Sequence, residues 1–127
     1  MKWEDNVTGL QHIGIPTLDV QKTVDYYTKI GFRITLDTMN GDARVVFLEL
    51  DGLVLETYQE PKIAGKAGAL DHIAINVNDI DAAYEHITGL GIKVIEEITF
   101  LPFFEKGVKF FITEGPNMER VEYNQIL

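Results

Sequence analysis

The chain contains no cysteine, and basic residues are scarce. Without cysteine there are no disulfides, thiolate metal ligands or thiol nucleophiles, so any chemistry must depend on histidine, carboxylates, hydroxyl groups or a bound ion. Eleven basic against 20 acidic residues give a formal net charge of −9, which disfavours nucleic acids and anionic lipid surfaces as partners. No apolar run reaches the ~18 residues of a membrane span, and the amino terminus lacks a signal-peptide pattern. We expect a cytoplasmic protein with a small-molecule partner, no nucleic acid and no membrane.

What the chain does contain is an internal repeat. A length of 127 residues with 46% hydrophobic residues predicts one compact domain, residues 1–127, with a substantial core. Within it, residues 10–34 align without a gap with residues 70–94. The identical pairs are Leu10/Leu70, His12/His72, Ile13/Ile73, Ile15/Ile75, Asp19/Asp79, Thr28/Thr88 and Gly31/Gly91. Such a repeat predicts two copies of one structural unit.

Each copy has the same predicted order of elements. An alternating segment predicts a half-buried strand, with isoleucines on one face and a histidine on the other. Asp19 and Asp79 then precede apolar residues at helical spacing, and Gly31 and Gly91 close the pattern, so each copy has a capped helix. Further strands are predicted at 32–39, 43–50 and 53–59 in the first copy and at 92–98, 107–113 and 119–125 in the second.

Both copies are therefore predicted to be β-α-β-β-β modules. The first module spans residues 9–59 and the second spans residues 70–125. The Gly- and Ala-rich segment 60–69 between them is predicted to be a linker. Mixed helices and strands in this order predict an α+β fold.

Metal-type residues fall at matching places in the two modules. His12 aligns with His72 on the first strands, and Glu56 aligns with Glu122 on the last strands. Two imidazoles and two carboxylates suit Zn²⁺, Ni²⁺, Co²⁺, Mn²⁺ or Fe²⁺ and balance the charge of a divalent ion. A lone histidine or glutamate is more often an ordinary polar residue. Duplication of the fold alone would not retain ionisable residues at both places, so we predict that these four residues bind one divalent metal ion.

Three more side chains are candidates for contacting a substrate. Phe103 and Phe104 lie in the apolar segment 98–107, a predicted loop that either lines a pocket or packs into the core or a dimer contact. Arg120 is a candidate for binding an anionic group, because strand alternation places it on the Glu122 face. Two other cations are weaker candidates, Arg44 and Lys109.

The duplicated module with His and Glu at these places resembles the vicinal oxygen chelate superfamily. That superfamily includes glyoxalase I, methylmalonyl-CoA epimerase, fosfomycin-resistance proteins, extradiol dioxygenases and bleomycin-binding proteins, and the resemblance covers residues 10–125. It implies a glyoxalase-like fold, in which two paired modules form a cup-shaped mixed sheet around a metal. It also implies a homodimer, with modules pairing within one chain or by exchange between chains. The ligand order is similar to that of bacterial glyoxalase I: His12, Glu56, His72 and Glu122.

The same resemblance implies a function. A glyoxalase-type isomerase or lyase would act on a small oxygenated substrate through a metal-stabilised enediolate. Glu122 would be the base that moves the proton, with Glu56 as the alternative. Pro16 stands where glyoxalase I commonly has an arginine that binds glutathione, so glutathione is not the expected carrier. Two other functions stay open: a protein that sequesters a drug or metabolite, and an Fe²⁺ dioxygenase, which normally uses two histidines and one carboxylate.

Overall fold

A computed structural model describes residues Met1–Leu127 and contains two four-stranded mixed sheets. The chain divides into unit 1, Met1–Pro61, and unit 2, Lys62–Leu127. The division lies in the segment predicted as a linker. Each unit contains one β-α-β-β-β set, so the α+β class and the element order predicted from the repeat are confirmed. None of the helices is long and apolar enough to cross a membrane.

Unit 1 contains two helices and four strands. In chain order they are α1 (Trp3–Asn6), β1 (Ile13–Thr17), α2 (Val20–Lys29), β2 (Arg33–Asn40), β3 (Ala43–Leu50) and β4 (Leu53–Gln59). The sheet order is β1-β4-β3-β2, with β1 parallel to β4 and the other neighbours antiparallel. The first and last strands of the unit are therefore neighbours, which allows their side chains to meet.

Unit 2 repeats this topology. Its elements are β5 (His72–Asn76), α3 (Ile80–Gly89), β6 (Val94–Leu101), β7 (Val108–Glu114) and β8 (Arg120–Ile126). The sheet order is β5-β8-β7-β6, again with the first and last strands parallel. The two histidines and the two glutamates predicted as ligands thus lie on, or next to, equivalent pairs of adjacent strands.

The long helices begin and end where the sequence predicts. Asp19 and Asp79 each accept a hydrogen bond from the backbone N–H three residues later, at 3.1 and 3.0 Å, which satisfies a free donor of the first helical turn. Gly31 and Gly91 follow the helix ends with φ of +110° and +78°, a conformation that favours glycine. These caps fix where each chain segment leaves the helix.

Each of the two long helices covers one face of its own sheet. Helix α2 packs against β3 and β4, and α3 packs against β7 and β8. Leu55 on β4 and Val121 on β8 are fully buried. Because side chains alternate along a strand, the neighbouring Glu56 and Glu122 lie on the sheet face opposite the helix.

One strand boundary differs from the prediction. Strand β6 runs to Leu101, whereas the sequence predicted a strand at 92–98 and a loop over 98–107. The last three residues of β6 pair with β7, and Pro102 follows, which lacks the N–H needed to continue the ladder. The prediction of loop structure at 98–101 is therefore wrong, and the loop consists of residues 102–107.

Candidate metal and substrate site

His12 and Glu56 meet in unit 1. Glu56 is in register with Gly14 across the parallel β1–β4 pair, and His12 precedes Gly14 by two residues, so both side chains project to the same side. His12 Nε2 lies 3.4 Å from Glu56 Oε1. The imidazole contacts the Phe47 ring edge-on, with ring centroids 5.5 Å apart. One nitrogen and one oxygen of metal-ligand type are therefore held side by side.

His72 and Glu122 form the equivalent pair in unit 2. Glu122 is in register with Ala74, and His72 Nε2 lies 3.7 Å from Glu122 Oε1. The Glu122 side chain is 11% exposed, against 25% for Glu56. Its Oε2 accepts a hydrogen bond from Asn124 Nδ2 at 3.0 Å, so one oxygen is anchored while the other faces the histidine.

The residue before each histidine holds the other ring nitrogen. His12 Nδ1 lies 2.9 Å from Gln11 Oε1, and His72 Nδ1 lies 2.8 Å from Asp71 Oδ2. These oxygens only accept, so each Nδ1 donates its N–H, and in the neutral imidazole each Nε2 then presents a lone pair. The hydrogen bond with His72 and the charge of Arg120 hold the pKa of the Asp71 carboxyl below its ordinary value. Metal-binding histidines commonly have such a partner on their second nitrogen.

Each His–Glu pair fits a shared divalent ion. In the neutral imidazole, a lone pair on Nε2 facing a carboxylate oxygen is unfavourable unless a proton or a metal cation lies between the two atoms. Two ligand atoms ~2.1 Å from an ion, at usual ligand angles, lie roughly 3.0–3.4 Å apart, close to the distances of the two pairs. Within each unit, the structure brings the predicted ligands together as one His–Glu pair. The set of four stays a prediction.

Arg120 lies beside the second pair. It is in register with His72 across β5 and β8. Its guanidinium lies 3.8 Å from Asp71 Oδ1 and 4.0 Å from Glu96 Oε2, and its side chain is 33% exposed. A cation is therefore adjacent to the His72–Glu122 pair.

The two phenylalanines of the 102–107 loop are exposed. Phe103 is 56% and Phe104 is 67% exposed, so the alternative that they pack into the core is wrong. Phe104 has φ of +63°, a region that aromatic residues seldom occupy. This loop offers two rings to a ligand or to another molecule.

Arg44 is occupied by contacts within unit 1. Its guanidinium donates two hydrogen bonds to Asp37, at 3.0 and 2.7 Å, and one to Gln21 at 2.7 Å. The hydrogen bonds with Asp37 raise the pKa of Arg44 and lower that of Asp37. Arg44 therefore ties β2 and β3 to α2, and the hypothesis that it anchors a substrate is not supported.

Sequence reasoning missed three supporting residues. Gln11 and Asp71 immediately precede the histidines, and Asn124 lies two residues after Glu122. A signal for the first two was present, because they occupy equivalent places in the repeat. Their contacts depend on side-chain rotamers, which the sequence pattern does not specify.

The sequence and fold match known proteins. The model of the Glyoxalase/Bleomycin resistance protein/Dioxygenase superfamily matches residues 9–122. The chain is 29% identical over 126 residues to the uncharacterized protein YwbC of Bacillus subtilis (strain 168), covering 91% of this chain and 96% of that protein.

Solved structures share the fold at lower identity. A glyoxalase family protein from Enterococcus faecalis is 20% identical with a TM-score of 0.79, over 92% of this chain and 97% of that one. The fosfomycin resistance protein FosX from Listeria monocytogenes, complexed with Mn(II) and sulfate, is 16% identical with a TM-score of 0.74, over 95% and 94%. These likenesses confirm the glyoxalase-like fold. Because the family model matches most of its length, the chain belongs to the Glyoxalase/Bleomycin resistance protein/Dioxygenase superfamily.

Proposed function

We propose that the protein is a metal-dependent isomerase or lyase of the glyoxalase type, acting on a small oxygenated substrate. The observation that carries this proposal is the duplicated His–Glu pair, with Nε2–Oε1 distances of 3.4 and 3.7 Å. Each histidine has its Nδ1 held by an acceptor, which leaves Nε2 free for a metal. Bacterial glyoxalase I has a similar ligand order.

The proposed ligands of one divalent ion are His12, Glu56, His72 and Glu122. Zn²⁺, Ni²⁺, Co²⁺, Mn²⁺ and Fe²⁺ all suit imidazole and carboxylate ligands, and the related FosX structure contains Mn(II). When bound, such an ion supplies Lewis-acid polarisation of substrate oxygens, which acidifies the adjacent C–H bond.

Glu122 is the proposed base. Its carboxylate takes the proton from the acidified carbon and returns it to the neighbouring carbon, so the substrate is isomerised without gain or loss of atoms or electrons. The low exposure of Glu122 limits competition from water during this transfer. Asn124 holds Oε2, so Oε1 is the oxygen that would leave the ion to take the proton, while His12, Glu56 and His72 keep the ion in place. Glu56, with the more exposed side chain, is the alternative base.

Three side chains are proposed to contact the substrate. The exposed rings of Phe103 and Phe104 are suited to an apolar part of it, and Arg120 is suited to a negatively charged part. A homodimer in the cytoplasm is part of the same proposal, and its test is sedimentation. A 14.3 kDa species at working concentration would contradict the dimer.

Metal binding is the first test. Metal-free protein is reconstituted separately with Mn²⁺, Co²⁺, Ni²⁺ and Zn²⁺, and bound metal is measured by elemental analysis. We expect one ion per set of four ligands and a strong loss in His72→Ala. His86→Ala, on the exposed face of α3, is the matched control and should retain the ion. No bound ion, or equal losses in both variants, would contradict the proposal.

The substrate is sought with the loaded forms. Thiohemiacetals, CoA-ester epimers and phosphonate antibiotics represent different chemistries of the superfamily. Turnover of one class that disappears in His72→Ala and persists in His86→Ala would identify the reaction.

A binding protein that sequesters a drug or metabolite is the second candidate function. The exposed aromatic rings of the 102–107 loop favour it. Saturable binding of a compound from the same panel, without turnover and without dependence on metal, would support this function over the enzyme.

A further inference from the structure

Arg120 differs from the other two arginines in how its donors are used. Arg44 makes three hydrogen bonds, and Arg33 donates one to Glu49 at 3.2 Å. The Arg120 guanidinium makes none, because its separations from Asp71 and Glu96 are 3.8 and 4.0 Å, beyond hydrogen-bond length. The two carboxylates therefore partly balance the charge of Arg120, but its N–H groups donate no hydrogen bonds.

One of these donors is shielded from water. Arg120 Nε is buried and has no hydrogen-bond partner. A buried N–H without an acceptor is costly and uncommon, and an absent ion or ligand is one of its recognised causes. The Nη1 and Nη2 groups are not buried in this way, and their N–H donors form a fork that matches the two oxygens of a carboxylate, phosphate or phosphonate.

The rest of the side chain is held towards the second His–Glu pair. Arg120 is in register with His72 and lies two residues before Glu122 on the same face of β8. Asp71 connects the two, since its Oδ2 accepts from His72 Nδ1 while its Oδ1 faces Arg120 Nη1. An anion on Arg120 would therefore lie next to the proposed metal ligands.

The fold itself does not require these charges. In unit 1, Gln11 stands at the place of Asp71 and Val54 at the place of Arg120. Unit 1 nevertheless has the same strand order and the same His–Glu pair. The Asp71–Arg120 pair is thus an addition in unit 2 that needs another explanation.

We propose that Arg120 binds an oxyanion of the substrate, either a carboxylate or a phosphate or phosphonate, beside the His72–Glu122 pair, with Asp71 as the residue that positions both. The role as a substrate contact depends on the proposed function, whereas anion binding by Arg120 does not. The net charge of −9 repels anions in general, so a saturable anion site would be specific to local donors.

The test observes Arg120 directly. The side-chain Nε–H resonances of the three arginines are assigned by NMR in metal-free protein, and acetate, inorganic phosphate and methylphosphonate are titrated separately at constant ionic strength. We expect the Arg120 resonance alone to shift and to saturate. The probe that binds with the highest affinity identifies the class of oxyanion. No saturable shift with any of them would overturn the proposal.

Variants then test the residue. Arg120→Leu should weaken anion binding by roughly 10- to 100-fold, the usual effect of losing hydrogen bonds to a charged group, and Arg120→Lys should weaken it less. Arg33→Leu is the control, because it removes one positive charge from an arginine that is already hydrogen-bonded. Equal weakening in Arg33→Leu would indicate general electrostatics and overturn the proposal. If Arg120→Leu does not fold, the native resonance and Arg120→Lys still decide the question.

The outcomes separate the two proposals. Anion binding at Arg120 in a protein that takes up no metal would leave this inference standing and contradict the enzyme. Metal uptake without any effect of anions on the Arg120 resonance would overturn this inference and leave the proposed enzyme standing. In the metal-loaded protein, a positioning role for Asp71 predicts that Asp71→Asn weakens both metal and anion binding, whereas a purely structural role predicts a change in thermal stability alone.

Discussion

The two units place the same pair of ligand-type residues in two different surroundings. In unit 1, His12 is backed by the neutral amide of Gln11 and contacts the Phe47 ring. In unit 2, His72 is backed by the carboxylate of Asp71, with Arg120 beyond it. The glutamates differ too, because the unit 2 carboxylate is less exposed and accepts a side-chain hydrogen bond.

This difference separates what the fold requires from what the chemistry requires. Both units keep the β-α-β-β-β order, the aspartate caps and the His–Glu pair, whereas the groups that orient and charge the pair have diverged. A symmetrical role would need the same surroundings twice. We infer that unit 1 mainly supplies ligands and that unit 2 also handles the proton and the substrate.

The largest expected effect tests this division directly. Glu122→Gln keeps an oxygen that can bind a metal and removes the titratable carboxylate, so turnover should fall by roughly 10²–10⁴ with modest loss of metal. Glu56→Gln is the matched variant in unit 1 and should reduce turnover less. Exchange of the substrate's α-hydrogen with deuterated solvent measures the proton step itself.

The opposite pattern of effects in these two variants would exchange the roles inferred for the two units. Near-normal exchange in Glu122→Gln together with its loss in Glu56→Gln would make Glu56 the base. No exchange in the native protein, on any substrate that it turns over, would remove proton abstraction from the proposed mechanism.

Truncation of a core residue should destabilise the two units by similar amounts, in contrast to the unequal effects expected at the two His–Glu pairs. Leu55 in unit 1 is fully buried and Ile80 in unit 2 is 2% exposed, and replacement of either by alanine leaves a cavity that costs about 2–5 kcal/mol. Leu36→Ala, at a residue that is 51% exposed on β2, should change stability by less than about 0.5 kcal/mol. Denaturant unfolding measures the loss, and hydrogen exchange locates it. A loss of stability below about 1 kcal/mol in one unit alone would show that the core of that unit relaxes further into the cavity.

Much of this fold is predictable because the repeat presents each signal twice. Strand alternation, aspartate caps and closing glycines predicted the elements, and Asp51-Gly52 lies in its hairpin with both φ values positive, as a two-residue turn needs. The end of β6 was not predicted, because a run of apolar β-formers before Pro102 does not distinguish a paired strand from an apolar loop.

The candidate site was predictable only to the level of residue type. Equivalent positions singled out His12 and Glu56 with their counterparts, and strand alternation placed Arg120 near Glu122. The contacts of Asp71 and the saturation of Arg44 were not predictable, because they depend on which of several nearby charged side chains lies within 3 Å of another. Sequence periodicity gives the face of a strand, not the rotamer.

The helix caps should contribute smaller and matching amounts. Asp19→Ala and Asp79→Ala each remove one hydrogen bond to a backbone N–H at the start of a helix, which costs about 1 kcal/mol. Asp81→Ala, in the first turn of α3 but without a cap hydrogen bond, is the control. Denaturant midpoints measure all three. Unequal losses at the two caps would mean that one helix start is held by its tertiary contacts instead.

The smallest expected effect concerns the exposed Arg44–Asp37 ion pair of unit 1. Hydrogen bonds from Arg44 hold the pKa of Asp37 below its ordinary value of 3.8. A carboxyl with a lowered pKa in the folded state adds stability above its ordinary pKa, and this contribution is lost as the pH falls through the folded-state value. Asp37→Asn should therefore be slightly less stable than the native protein at pH 7, and the difference should shrink below about pH 4. Asp42→Asn, in the adjoining turn, is the control for removing a negative charge from the same edge of the sheet. The measurement is the denaturant midpoint of the three proteins from pH 7 to 2.5. The stability difference between the native protein and Asp37→Asn could instead stay constant down to pH 2.5. That result would show that the Asp37 side chain stabilises the fold through its shape or through hydrogen bonds that do not need its charge.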